Sequence, residues 1–208
     1  METIAAVLAE GTTGSGAVRR KRGRPRDPEA DHRILAAASA LLLERGFDSM
    51  TVDEVASRAH VGKATVYRRW AKKEDLAVAA MSQLYKVQMP IPDTGSFRED
   101  VRQAYLATIR FANSPAGAAF LRATVVECAR DPRIAALYRS ASDDIAENAE
   151  EMYRRGIARG EVRPDVDIAY ASTLLGGVLA HRIITAQPLP SEEDVDGMVE
   201  FLLRGVEA

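Results

Sequence analysis

The side chains best equipped for chemistry stand together in one short run, GKATVYRRW over 62–70: Lys63, Thr65, Tyr67, Arg68 and Arg69. An ammonium, two guanidinium groups, a hydroxyl and a phenol are all hydrogen-bond donors, and none is an anion at neutral pH. Such a set suits phosphates and the acceptor edges of bases. It does not suit bond cleavage, which needs a nucleophile with its base, paired carboxylates or a metal. A search of the rest of the sequence finds none of these. The single cysteine, Cys128, falls on an apolar helical stripe and reads as a buried structural thiol. Gly14-Ser15-Gly16 has no strand before it and is no phosphate cradle. His32 and His60 have no second His or acidic cluster at ligand spacing. No catalytic residue, metal ligand or cofactor is expected.

A cationic face needs a rigid support, and the residues before it supply one. Thr51 and Glu54 have the S/T-x-x-E spacing of a capping box, in which the Thr hydroxyl accepts from the N–H at the Glu position. A helix therefore starts near Thr51, and Val52, Val55, Ala56 and Ala59 form one stripe along it. His60-Val61-Gly62 breaks the pattern, with Gly62 expected to supply positive φ. A second helix starts near Lys63, with Ala64, Val66 and Trp70 inward and the five donors on the remaining directions. This pattern fits a helix-turn-helix, whose second helix meets base edges while flanking side chains hold phosphates. An ordinary helical hairpin with a solvated basic face is the other reading of this stretch by itself.

The surroundings extend the pattern. Asp27 and Pro28 are a helix N-cap and first residue. Ile34, Leu35, Ala38, Leu41 and Leu42 form a stripe, Gly46 ends that helix and Phe47 folds back as a core plug. Met50, Val52, Val55, Val61, Val66 and Trp70 complete the expected core. Ala71 to Asp75 then turns into a fourth helix with acidic residues in its first turn. At VGKATVYRRWAKKEDL (61–76), and back through ILAAASALLLERGFDSMTVDEVA (34–56), the sequence resembles the tetracycline-repressor (TetR) family of bacterial regulators, over roughly residues 24–84. The resemblance implies a three-helix DNA-binding head followed by a long fourth helix and a helical body. It also implies a Lys held against phosphates, a position matched here by Lys73 with Lys72 beside it.

Charge is distributed accordingly. The net charge of −2 conceals 13 Lys+Arg against 7 Asp+Glu over residues 19–72, and 15 against 21 over residues 73–208. A basic head attracts the DNA backbone by counterion release, and an acidic body is kept off it. Residues 1–18 are Gly-, Ser-, Thr- and Ala-rich and are expected to be disordered. Lys21-Arg22-Gly23-Arg24-Pro25-Arg26 looks like an AT-hook, a slim arm placing Arg24 and Arg26 in an A·T-rich minor groove. A cationic tail that touches phosphates without reading sequence fits equally well. No run approaches the roughly 18 apolar residues of a membrane span, and the start lacks a signal-peptide pattern. With one cysteine, a reducing cytoplasm and no membrane partner are expected.

Beyond the Pro- and Gly-rich stretch over 89–96, everything has a 3.6-residue period. Phe97 to Ala112, Pro115 to Cys128 and Pro132 to Met152 read as three helices, the last closed by Gly156 and Gly160. An eighth helix is capped by Asp165 or Asp167 and a ninth by Ser191. The eighth is apolar nearly all round and the ninth carries a strong apolar stripe, so Leu174, Gly177, Val178, Val195, Val199 and Leu202 are expected in a four-helix dimer interface. Gly176-Gly177 permits either close approach or a kink. The family resemblance implies a small-molecule pocket among helices five to eight. Polar or aromatic interruptions there are the candidate contacts: Tyr105, Phe111, Arg122, Glu127, Tyr170 and His181.

The expected protein is all-α: a tail and arm over 1–26, a helix-turn-helix head over 27–72, and an effector-binding and dimerisation body over 73–208. It is expected to regulate transcription as a homodimer on a palindromic operator in double-stranded DNA, released by an unknown small molecule. Lys63, Thr65, Tyr67, Arg68 and Arg69 are the expected recognition contacts, and Thr51, Lys72 and Lys73 the phosphate contacts. A nucleoid-like architectural protein without an effector is the first alternative, to be told apart by a low ratio of specific to non-specific affinity. An enzyme carrying a basic hairpin is the second.

Overall fold

The computed structural model describes residues 28–208; the expected tail, the arm with Arg24 and Arg26, and the Asp27 cap lie outside them. Among the described residues the chain is all-α, as the sequence predicts. Its helices are α1 (Pro28–Ser49), α2 (Val52–Arg58), α3 (Lys63–Tyr67), α4 (Lys73–Gln88), α5 (Phe97–Asn113), α6 (Pro115–Arg130), α7 (Pro132–Ala158), α8 (Ile168–Ile184) and α9 (Val195–Val206).

Local chemistry explains the boundaries. Thr51 Oγ1 accepts from the Glu54 N–H at 3.2 Å. Ser114 caps α6 ahead of Pro115, and Asp131 caps α7 ahead of Pro132. Of the two caps open for α8, Asp167 is the one used, accepting from the Tyr170 N–H at 2.9 Å. Gly46 interrupts α1 at φ 74° and swings Phe47 into the core.

Two turn assignments are corrected. Gly62 is an extended N-cap at φ −73°, and the left-handed residue is His60 at φ 54°. The chain reverses directly after the Ala59 C-cap, so the next residue must adopt that conformation, which His tolerates better than the β-branched Val61. Gly156 does not end α7; the helix runs through it to Ala158, and Gly160, at φ 74°, follows.

Head and body share a core. One buried cluster passes from Ile34, Leu41 and Leu42 of α1 through Val55 and Val66 to Leu76 and Met81 of α4, and on to Phe120 of α6 and Tyr138 of α7. Ser39 strengthens the α1–α4 contact by donating to the Ala80 carbonyl at 2.9 Å. A second cluster joins Phe97, Val101 and Ile109 to Tyr153, Leu175 and the buried stripe of α9, and Leu121 packs against both. Each buried Leu or Phe contributes about 2 kcal/mol relative to exposure.

Two close fits hold the body together. Gly117 of α6 lies against the end of α5, where an added Cβ would meet the Phe111 carbonyl carbon at 2.8 Å and Ser114 Oγ at 2.9 Å. Backbone cannot retreat as a flexible side chain can, so Gly117→Ala is expected to cost about 2 kcal/mol, read as a shift in the urea midpoint. Asp100 is fully buried and accepts from the Thr94 N–H at 2.6 Å and the Thr94 hydroxyl at 2.7 Å. Its other oxygen faces Arg155 at 3.8 Å and Arg159 at 3.6 Å, so one carboxylate ties the loop before α5 to the end of α7. Asp100→Asn keeps an acceptor for Thr94 but removes the charge between two guanidinium groups. A loss of about 2 kcal/mol is expected in the same measurement.

Candidate functional site

The recognition helix is anchored before it presents anything. Arg58 makes two contacts of 2.7 Å to Glu44, fixing α2 to α1 and holding the Glu44 carboxyl below its ordinary range. Lys63 pairs with Asp53 at 2.7 Å, and Arg69 pairs with Asp31 of α1. Exposed pairs contribute little stability, but together they fix the stance of α3. Val66 points inward, fully buried, with Trp70 half-buried beside it. Ala64, expected inward, is exposed: two residues from Val66 it lies about 200° round the helix.

The same geometry separates the expected contacts. Lys63, Tyr67 and Arg68 share the exposed side, with Tyr67 45% exposed and the Lys63 ammonium 5.9 Å from its ring centroid. Thr65 is half-buried. Arg69, three residues beyond Val66, falls on the inner flank; its side chain is only 15% exposed and docks α3 onto α1. Lys73 turns back to donate to the Asp48 carbonyl at 3.0 Å, with its ammonium 4.4 Å from the Phe47 ring centroid. It thus closes the end of α1, whereas Lys72 and Thr51 remain exposed.

A cavity of about 380 Å³ lies among α4 to α8, walled by Ile91, Leu121, Val125, Ile145, Leu175 and Leu179. Of the candidate contacts, Tyr105 and Phe111 line it, and Arg122, Glu127, Tyr170 and His181 do not. Arg122, Tyr170 and His181 are exposed on parts of α6 and α8 outside the cavity wall. Glu127 sits at the junction with the head. Its Oε1 is 2.6 Å from where a Cβ on Gly46 would lie, and its Oε2 accepts from the Tyr138 hydroxyl at 3.4 Å. Burial, with the nearby Asp48 charge, raises its pKa. The reading by sequence misses Tyr85, Thr124, Ser142 and Tyr153 in the cavity wall. The signal available was a Tyr on the buried stripe of α4 and another on that of α7, helices that read as a connector and a plain amphipathic helix.

Comparison with known proteins decides the family. Residues 34–80 match the family model for bacterial regulatory proteins of the tetR family, and residues 91–202 match the tetracyclin repressor-like C-terminal domain. The chain is 33% identical over 189 residues to the uncharacterized HTH-type transcriptional regulator YdeS of Bacillus subtilis, covering 90% of this chain and 95% of that protein. The chain belongs to the tetracycline-repressor family. A DNA-binding transcriptional repressor of Mycobacteroides abscessus is 29% identical over 161 residues, 75% of this chain and 83% of that one. A crystal structure of the TetR family transcription regulator SCO0332 superposes with a TM-score of 0.71 at 28% identity, over 86% of this chain and all of that one. This TetR-family chain is therefore a DNA-binding transcriptional regulator, and α2 and α3 are its helix-turn-helix.

In this TetR-family body, α8 buries only Ala171, Leu175 and Leu179 and exposes Tyr170, Leu174, Val178 and Ile184. The helix runs unbroken through Gly176 and Gly177, which face open space. The assignment of α9 is corrected: Val195, Val199 and Leu202 are each at most 3% exposed, because its stripe is consumed by packing on α5 within the same chain. The residue it offers outward is Phe201, 76% exposed, which shares a hollow with Tyr170 and Leu174. Among the described residues no helix is long and apolar enough to cross a membrane, and no His, Cys, Asp and Glu cluster has the form of a metal site.

Proposed function

We propose that the protein is a cytoplasmic, homodimeric repressor that binds a palindromic operator through two copies of α3 and is released by a small molecule in the α4–α8 cavity. The division into a DNA-reading head over 27–72 and a ligand-binding, dimerising body over 73–208 belongs to this reading. Lys63, Tyr67 and Arg68 supply the major-groove contacts, Thr51 and Lys72 contact phosphates, and Arg24 and Arg26 reach the minor groove. Two chains join through Tyr170, Leu174, Gly177, Val178 and Phe201, an apolar patch that a monomer would leave in water.

One observation carries the effector reading. Leu121, Thr124 and Val125 line the cavity from α6, and the same helix places the Glu127 carboxylate against Gly46 at the end of the first helical segment of the head. A ligand that shifts α6 therefore acts on the head directly, and it regulates to the extent that it binds the two arrangements with different affinity. The test is selection of bound duplexes from a random pool by the purified protein. A palindromic winner with half-sites about one helical turn apart supports the dimeric regulator. Recovery of A·T-rich sequence without symmetry would overturn it in favour of an architectural protein.

A further inference from the structure

The wall of the cavity specifies the chemistry of its occupant. Among the described residues no charged side chain lines it. A permanently charged ligand would lose its hydration there with nothing to replace it. Most of the polar groups in the wall are already engaged. Thr108 donates to the Ala104 carbonyl at 2.9 Å, Thr124 to the Phe120 carbonyl at 2.9 Å, and Ser142 to the Tyr138 carbonyl at 2.7 Å. Tyr85 has the Ser142 hydroxyl as its neighbour.

Two phenols differ. The hydroxyls of Tyr105 on α5 and Tyr153 on α7 have no hydrogen-bond partner among the described residues, although Tyr153 is 2% exposed and both line the cavity. They lie within electrostatic reach of each other, and burial pushes Tyr105 up to about 12 and raises Tyr153 as well, so both keep their protons and act as donors. The Tyr153 ring is fixed edge-on against Phe97, with 4.9 Å between centroids. A hydroxyl that lines a cavity and finds no acceptor on its own chain is matched by a ligand that brings one. A carbonyl oxygen has two lone pairs and can accept from two donors at once.

We propose that the cavity selects a neutral, largely apolar carbonyl compound whose oxygen accepts from Tyr105 and Tyr153. This rests on the cavity being the effector site, so ligand binding and operator release are measured separately. Isothermal titration of the full-length protein with benzophenone, diphenylmethane and 4-benzoylbenzoate compares a neutral ketone, its oxygen-free analogue and a charged relative. Benzophenone is expected to bind about tenfold more tightly than diphenylmethane, and 4-benzoylbenzoate more weakly than either. Tyr105→Phe and Tyr153→Phe should each reduce benzophenone affinity about threefold to fivefold and leave diphenylmethane unchanged, which shows the cavity still folded. Equal affinity for the ketone and the hydrocarbon, insensitivity to both Phe variants, or tightest binding of the carboxylate would each overturn the proposal. Adding benzophenone to the operator complex then tests the regulatory reading alone: ketone binding without release removes the effector role and leaves the ligand class standing.

Discussion

Leu202→Asp is expected to destabilise the body strongly, and Phe201→Asp, one residue away, to leave it at native stability and dissociate the dimer. The two side chains are neighbours on one helix, about 100° apart around its axis, and that turn takes one into the core and the other into water. Leu202 is 3% exposed and packs in the cluster that joins Phe97, Val101 and Tyr153, whereas Phe201 is 76% exposed. A carboxylate at position 202 would be buried without a partner, and the lost packing of the leucine adds to that cost. Together they amount to about 4 kcal/mol or more, a large share of the stability of a domain. A carboxylate at 201 stays in water in the monomer and costs the fold little, but it would sit inside a paired apolar face. Thermal melting and sedimentation together separate the cases: a melt lowered by about 10 °C or more for Leu202→Asp, and a native melt with monomer mass for Phe201→Asp. If Phe201→Asp sedimented as a dimer, the α8–α9 outer face would not be the interface.

Tyr67→Ala combined with Arg68→Ala is expected to weaken operator binding about a thousandfold. Arg68 forms no ion pair among the described residues, and Tyr67 is the large aromatic exposed on α3. Each contact of this kind contributes about 1–3 kcal/mol, and a dimer on a palindrome loses it twice. Removing these side chains leaves Val66 buried and the Arg69–Asp31 and Lys63–Asp53 ties in place, so the melt should not change. Arg69→Ala should behave differently, lowering DNA affinity together with the thermal stability of the head, because that guanidinium docks the helix. A gel-shift titration with the melt of each variant checks both statements.

The contrast between neighbours also shows where the sequence could be read and where it could not. Features fixed by local chemistry were legible: the Thr51 cap, the starts of α6 and α7 at Pro115 and Pro132, and the Gly46 break that seats Phe47. The head could be recognised as a unit because its core stripe, turn and cap are contiguous in sequence. Features that depend on which neighbour a helix meets were not. The stripe of α9 is equally suited to its own α5 or to a second chain, and periodicity alone cannot choose between them. Glu127 interrupts an apolar helix as a pocket residue would, yet α6 carries it past the cavity to the head. Arg69 is as basic as Arg68, and only the direction of Val66 in a five-residue helix sends it toward Asp31. The cavity tyrosines lie on α4, α5 and α7, helices brought together only by the tertiary fold.

In the proposed function an anchored α3 reads one operator sequence while the body senses a ligand. Its most direct test is the ratio of affinities of the full-length protein for the selected palindrome and for a scrambled duplex of the same composition, titrated at two salt concentrations. A ratio of about a thousand or more that persists as salt rises is expected, while both affinities fall. A ratio near one at both salt concentrations would contradict it, leaving the basic head as an electrostatic clamp on DNA of any sequence.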